Sequence, residues 1–267
     1  LDGRPLTRFL ALTLLVWTLA WLPLGLFKGD PDYVLTAVSR HSLERQVYQA
    51  LLYCGLLLVF IDSWKRHAPR LPGPGRARDF LRYAGLGLGS ALVLRGLMVV
   101  LGGRPLPDVA PPFQLADILV ALLSAVAVAA VEEAVFRGFL LGRLAQISTP
   151  SRAVVISSAL FASVHLFRPG PAGFKAGYAL GLFLLAVLLA RIAWVRCSVA
   201  ASAGFHAGVI WPNLVDPWPD LAQTWWSGWQ QEPASGALSW LLTLALWGQW
   251  EWWQSGRERD QAEELLP

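Results

Sequence analysis

Residues 118–141 read ILVALLSAVAVAAVEEAVFRGFLL, an apolar run broken near its end by Glu132, Glu133 and Arg137. A helix rising 1.5 Å per residue over this stretch measures about 36 Å, enough for the roughly 30 Å of hydrocarbon in a bilayer. The run therefore reads as a membrane span. The whole chain agrees with it: of 267 residues, 55% are hydrophobic and only 15% charged, and mean hydropathy is +0.47. Globular domains carry charge on about a quarter of their residues. So low a fraction excludes disorder and speaks against a water-soluble enzyme.

Working outward from that run, similar stretches recur at about Phe9–Phe27, Val47–Trp64, Phe80–Leu101, Ala153–Phe167, Phe174–Val195, Cys197–Val215 and Gly236–Trp253. The expected fold is all-α, a polytopic membrane helix bundle of about eight transmembrane helices. It divides into three spans with their loops (1–117), a central core (118–215), and a Trp-rich connection, last span and tail (216–267). Cys54 and Cys197 show no metal-ligand spacing and read as buried free thiols.

The net charge of +4 and pI near 9.4 would invite nucleic acid in a soluble chain. No basic stripe interleaved with aromatics accompanies them, so no nucleic-acid partner is expected. Lys and Arg instead concentrate in cytoplasmic loops of membrane proteins. With the N-terminus inside, and basic residues near span ends counted with the adjoining segments, fourteen fall on the inner side and six on the outer, leaving Arg95 and Arg137 within spans. Both termini are expected to be cytoplasmic.

Small residues spaced by four let membrane helices approach closely. Gly173, Gly177 and Gly181 form such a ridge, and Gly85/Gly89 and Gly204/Gly208 form shorter ones. Ten of the fourteen tryptophans lie from Trp211 onward. Their preference for headgroup depth makes them interface anchors, with an aromatic lid over a substrate groove as the sharper alternative. Trp218 and Trp229, with Asp216 and Asp220, belong to an outer connection.

Ionisable groups at bilayer depth are costly and mark function or its ion-pair partners. Glu133 and Arg137 stand at i and i+4, one face of one helix, and are expected to pair. Glu132 projects about 100° away and lacks that partner. His165 and His206 fall at a depth similar to Glu132, counted from the nearest inner arginine. Arg95 is expected to pair with Glu132 or Glu133, or to meet a substrate carboxylate. One carboxylate and two imidazoles support two chemistries. Glu132 is a general base for water, with His165 holding the water and His206 stabilising an oxyanion; or all three ligate a catalytic zinc. Hydrolysis follows from either. A proton or ion relay in a transporter is the reading from a different class, and a non-catalytic immunity or scaffold protein is a third.

The pattern Glu-Glu-x-x-x-Arg (Glu132, Glu133, Arg137), then Phe-x-x-x-His (Phe161, His165), then a helix bearing His206, resembles the CPBP family of intramembrane proteases. That family, also called Abi, includes the type II CaaX prenyl endopeptidases and bacteriocin-processing proteins. The resemblance runs from about Ile118 to Val215. It implies that Glu132 and His165 activate water and that His206 helps to form an oxyanion site. It favours a metal-free glutamate mechanism with no cofactor, with Glu133, Arg137 and Phe161 in support. The substrate it implies is a membrane-associated peptide or protein: a CaaX-type tail, a precursor or a C-terminal sorting segment. The implied location is the bacterial cytoplasmic membrane. One departure stands out. The family's later motif usually reads His-x-x-x-Asn or Asp, whereas position 210 here is Ile. Asn213, about 10 Å further along the helix on nearly the same face, is the candidate replacement as a second oxyanion donor.

Overall fold

The computed structural model describes residues 4–28, 43–69, 72–101, 114–166, 171–215, 224–228 and 232–264, and every named element among them is helical. In chain order these are α1 (Arg4–Lys28), α2 (Leu43–His67), α3 (Ala77–Val100), α4 (Leu115–Glu133), a π-helical segment (Ala134–Leu141), α5 (Gly142–Ile147), α6 (Pro150–Val164), α7 (Ala172–Arg196), α8 (Val199–Val215), a 3-10 turn (Pro233–Ser235) and α9 (Ala237–Glu264). The fold is the expected membrane helix bundle. Four helical stretches among the described residues are long and apolar enough to cross a bilayer: Val47–His67, Ala77–Val100, Leu115–Ile147 and Ala172–Arg196. Trp218, Trp229, Asp216 and Asp220 lie outside the described residues.

The stretch that opened the analysis is one continuous helix over Leu115–Ile147, but not a uniform α-helix. Directly after Glu133 its turns widen to π geometry for eight residues, seven of them buried. Such wide turns are rare and recur at functional sites. Here Gly138 removes a side chain from the widened wall, and Phe60 of α2 and Val199 of α8 close on its backbone.

Helix α6 is shorter than the sequence implies. Thr149 caps its start, accepting from the Arg152 amide at 3.4 Å, and Pro150 occupies the first turn. It ends at Val164, so its 15 residues reach only about 22 Å, and His165 occupies its C-cap instead of lying within a span.

Helix α8 is placed by its first turn. The Val199 and Ala200 amides have no partner within the helix. They donate to the Gly73 and Pro74 carbonyls, each at 2.9 Å, while Ser198 Oγ accepts from the Ala201 amide at 3.2 Å. From there α8 lies backbone-on-backbone against α3. A Cβ on Gly204 would strike the Phe80 carbonyl, one on Gly208 the Ala84 carbonyl, and one on Gly87 the Phe205 carbonyl. Two of the expected ridges need correction. Gly85 and Gly89 have nothing within 4 Å, because the α3 face that meets α8 carries Gly87 between them. Gly173 is likewise open, whereas Gly177 and Gly181 admit the Ser235 and Ala234 carbonyls of the 3-10 turn.

The cysteines also differ from expectation. Cys54 and Cys197 are both exposed, one on the outer face of α2 and the other at the α7–α8 junction. In a bundle whose outer surface faces lipid, an apolar setting in sequence does not imply burial.

Candidate active site

Helices α2, α3, α4, α6, α7, α8 and α9, with the 3-10 turn, surround a cavity of about 420 Å³. Glu132, Phe161, His165, His206 and Asn213, all singled out from sequence, line it. Glu133 and Arg137 stand behind its wall, with side chains 0% and 1% exposed. Tyr53 and His206, near the midpoints of α2 and α8, come together with Glu132, near the midpoint of the continuous helix Leu115–Ile147. The separate positions 132, 165 and 206 thus become one surface.

The expected ion pair is present: Arg137 Nη1 donates to Glu133 Oε1 at 3.0 Å. Its Nη2 donates to the Ala186 carbonyl of α7 at 3.1 Å, and its guanidinium lies 4.6 Å from the centroid of the Phe161 ring. A buried charge needs a counter-charge and filled hydrogen bonds; carboxylate, carbonyl and ring face supply both here. Phe161 is 1% exposed and also packs edge-on to Phe136 at 5.1 Å. The His165 ring lies 4.7 Å from the Phe161 ring as well, tilted by 43°.

Glu133 does more than neutralise Arg137. His206 Nδ1 lies 3.0 Å from the same Oε1, in a hydrogen bond between helices α8 and α4. An ionised carboxylate only accepts, so Nδ1 carries the proton and Nε2 faces the cavity side. Nε2 is 3.9 Å from Glu132 Oε2. That gap exceeds a direct hydrogen bond, and a water seated to the cavity side of it can reach both atoms. The sequence offered no orienting acid for either histidine; Glu133 is that acid for His206.

Glu132 is not unpartnered. Tyr53 Oη donates to its Oε1 at 2.7 Å. A tyrosine inside an apolar run carries no signature of such a role, and sequence reading passed it over.

His165 Nδ1 sits 2.7 Å from the Phe161 carbonyl, one turn back in α6. A carbonyl only accepts, so Nδ1 donates and Nε2 is the acceptor nitrogen. The ordinary satisfied-histidine arrangement and a role at the cavity are therefore compatible: the backbone fixes the ring, and the other nitrogen remains for chemistry.

Arg95 departs from expectation. Its Nη2 donates to the Pro212 carbonyl at 2.7 Å and to Asn213 Oδ1 at 3.2 Å, not to either glutamate. Pro212 lies inside α8, and the arginine of α3 ties down the end of that helix. Since Arg only donates, Oδ1 is the Asn213 atom turned to it. Among the described residues no group of three His, Cys, Asp or Glu side chains is arranged to hold a metal ion.

Comparison with curated proteins and with solved structures returned no match. Residues 114–211 match the family model described as "Type II CAAX prenyl endopeptidase Rce1-like". The matched segment holds α4, the π turns, α6, α7 and α8 through His206, and leaves Tyr53 and Asn213 outside it. The resemblance carried by Glu132, Glu133, Arg137, Phe161, His165 and His206 is thereby borne out: residues 114–211 of this chain, rather more than a third of it, are similar to the Rce1-like type II CAAX prenyl endopeptidases.

Proposed function

We propose that the chain is an intramembrane endopeptidase in which Glu132 activates water against a peptide bond of a membrane-associated substrate. The observation that carries this reading is the 3.9 Å interval between Glu132 Oε2 and His206 Nε2, on the wall of a cavity inside an apolar bundle. A water in that interval meets an acceptor on Glu132, and the acceptor nitrogen of His165 lines the same cavity. The water oxygen bonds to the scissile carbonyl carbon as its proton passes to Glu132. The resulting oxyanion accepts from Nε2 of His206 in the ring's doubly protonated form, in which Nδ1 donates to Glu133 and Glu133 is held in turn by Arg137. Glu132 then delivers its proton to the departing amine nitrogen as the carbon–nitrogen bond breaks. Asn213, which lines the cavity and turns its carbonyl to Arg95, is proposed as a second oxyanion donor through its amide nitrogen.

The family name points to a prenylated CaaX tail as the substrate class. A second hollow of about 330 Å³ adjoins the cavity, sharing Ser90, Leu188, Phe205 and Leu246 with it. Its wall includes Leu86, Ile192 and Trp250, surfaces suited to an apolar chain. The basic ends of the helices are proposed to face the cytoplasm. The line Tyr53–Glu132–His206–Glu133–Arg137 also has the form of a proton relay, but it ends on a guanidinium, which does not release a proton at physiological pH.

The test is cleavage of a quenched, prenylated CaaX peptide by the detergent-solubilised chain, beside an unprenylated apolar peptide. Glu132→Gln keeps the shape and removes the base, and is expected to abolish turnover of whichever peptide the wild type cleaves. Retained cleavage by this variant overturns the glutamate mechanism. Proton flux into liposomes from a wild type that cleaves neither peptide supports the relay instead.

A further inference from the structure

We infer that Tyr53 is a positioning residue for the general base, so that the site is completed by a helix outside the family-matched segment. The inference rests on the assignment of Glu132 as base. It goes beyond that assignment because the hydrogen bond on the Glu132 carboxylate comes from α2, outside residues 114–211.

A glutamate on a cavity wall has three rotatable bonds, and a space of about 420 Å³ leaves its head room to swing. Base catalysis needs one oxygen aimed at the water, since a misplacement of about 1 Å costs on the order of 100-fold in rate. His206 lies 3.9 Å from Oε2 and so does not clamp the carboxylate directly. Arg137 is committed to Glu133 and the Ala186 carbonyl. The hydrogen bond that fixes Glu132 comes from Tyr53, at 2.7 Å to Oε1. A short bond to a charged acceptor is about twice as strong as a neutral one. With Oε1 engaged, Oε2 is the oxygen presented toward His206.

The division of labour between the oxygens also has a chemical consequence. A donor on Oε1 leaves Oε2 as the atom that takes the proton from water and returns it to the leaving amine. Tyr53 touches neither water nor substrate in this scheme. It acts through Glu132, and a phenylalanine would preserve its packing.

Tyr53→Phe is expected to lower kcat for the quenched CaaX peptide by about 10- to 100-fold with KM within about twofold of wild type. Glu132→Asp withdraws the carboxylate by one methylene, so in that background Tyr53→Phe is expected to add less than about threefold. A Tyr53→Phe variant with wild-type kcat, or one whose whole loss lies in KM, overturns the inference. So does full additivity with Glu132→Asp. A measurement independent of turnover uses infrared difference spectra of the ¹³C-glutamate-labelled chain. The carboxylate band lost in Glu132→Gln is expected to shift in Tyr53→Phe, and an unshifted band also overturns the inference. If Glu132→Gln still cleaves, the base assignment fails by itself, whatever the band shows. If Glu132→Gln is inactive and Tyr53→Phe is fully active, only the positioning role fails.

Discussion

Arg137 and Glu133 are the most deeply buried charges of the site, and their interaction decides how rigidly His206 is held. Removing one member leaves an uncompensated charge in low dielectric, which typically costs about 3–5 kcal/mol. Arg137→Met is therefore expected to lower the thermal unfolding midpoint sharply in detergent and to loosen the 3.0 Å contact between His206 and Glu133. Adding Glu133→Gln to Arg137→Met is expected to recover part of that loss, because the pair is then neutral; the two changes fail to add. Strict additivity in unfolding scans counts against a coupled pair. This pair was legible in sequence because its members are one helical turn apart. The partners of the remaining polar residues were not, since they lie 73 positions apart for His206 and Glu133 and 79 for Tyr53 and Glu132. Arg95 shows the same limit in reverse: its depth in an apolar run was plain, but spacing alone could not choose between the glutamates and the end of α8.

At the scale of elements, glycine spacing announced close helix packing without saying which ridges are used. An added methyl separates them. Gly204→Ala and Gly208→Ala drive a Cβ into the Phe80 and Ala84 carbonyls, and backbone on both sides cannot yield. Overpacking of this kind costs about 1–3 kcal/mol or more. Gly85→Ala and Gly89→Ala meet nothing within 4 Å and are expected to be neutral, or to gain up to about 1 kcal/mol of helix propensity. Unfolding scans of the four variants check this directly, and equal losses at all four would contradict the α3–α8 interface described above. The contrast follows from register: four-residue spacing repeats on every face of a helix, and only the partner selects the face. The π segment was invisible for a related reason. Residues 134–141 are apolar or glycine on nearly every side of Arg137, so no polar stripe marks where the period widens. The end of α6 was missed because apolarity continues past Val164, while the chain turns at His165.

At the scale of the molecule, the ends of several helices gather on one face. Arg8 at the start of α1 and Arg66 at the end of α2 share Asp62, at 3.2 and 2.7 Å. The Gly73 carbonyl between α2 and α3 accepts from Val199 at the start of α8, directly after the end of α7. The Phe9 and Phe139 rings meet at a tilt with centroids 4.4 Å apart, which brings the later part of the long central helix to the start of α1. Arg8, Arg66, Arg76, Arg143 and Arg196 lie at or near these ends in the chain. Basic residues of this kind remain on the cytoplasmic side during insertion, and Cys197 reports on it. Cys197 is exposed at the α7–α8 junction, whereas the other cysteine, Cys54, lies within α2 and is removed by Cys54→Ser. In that background a membrane-impermeant maleimide is expected to label Cys197 in inverted vesicles and not in right-side-out ones. Labelling only in right-side-out vesicles would reverse the proposed orientation. It would leave the cavity and its chemistry intact, because Tyr53 and His206 near the midpoints of α2 and α8, and Glu132 near that of the continuous helix Leu115–Ile147, keep their geometry whichever face is cytoplasmic.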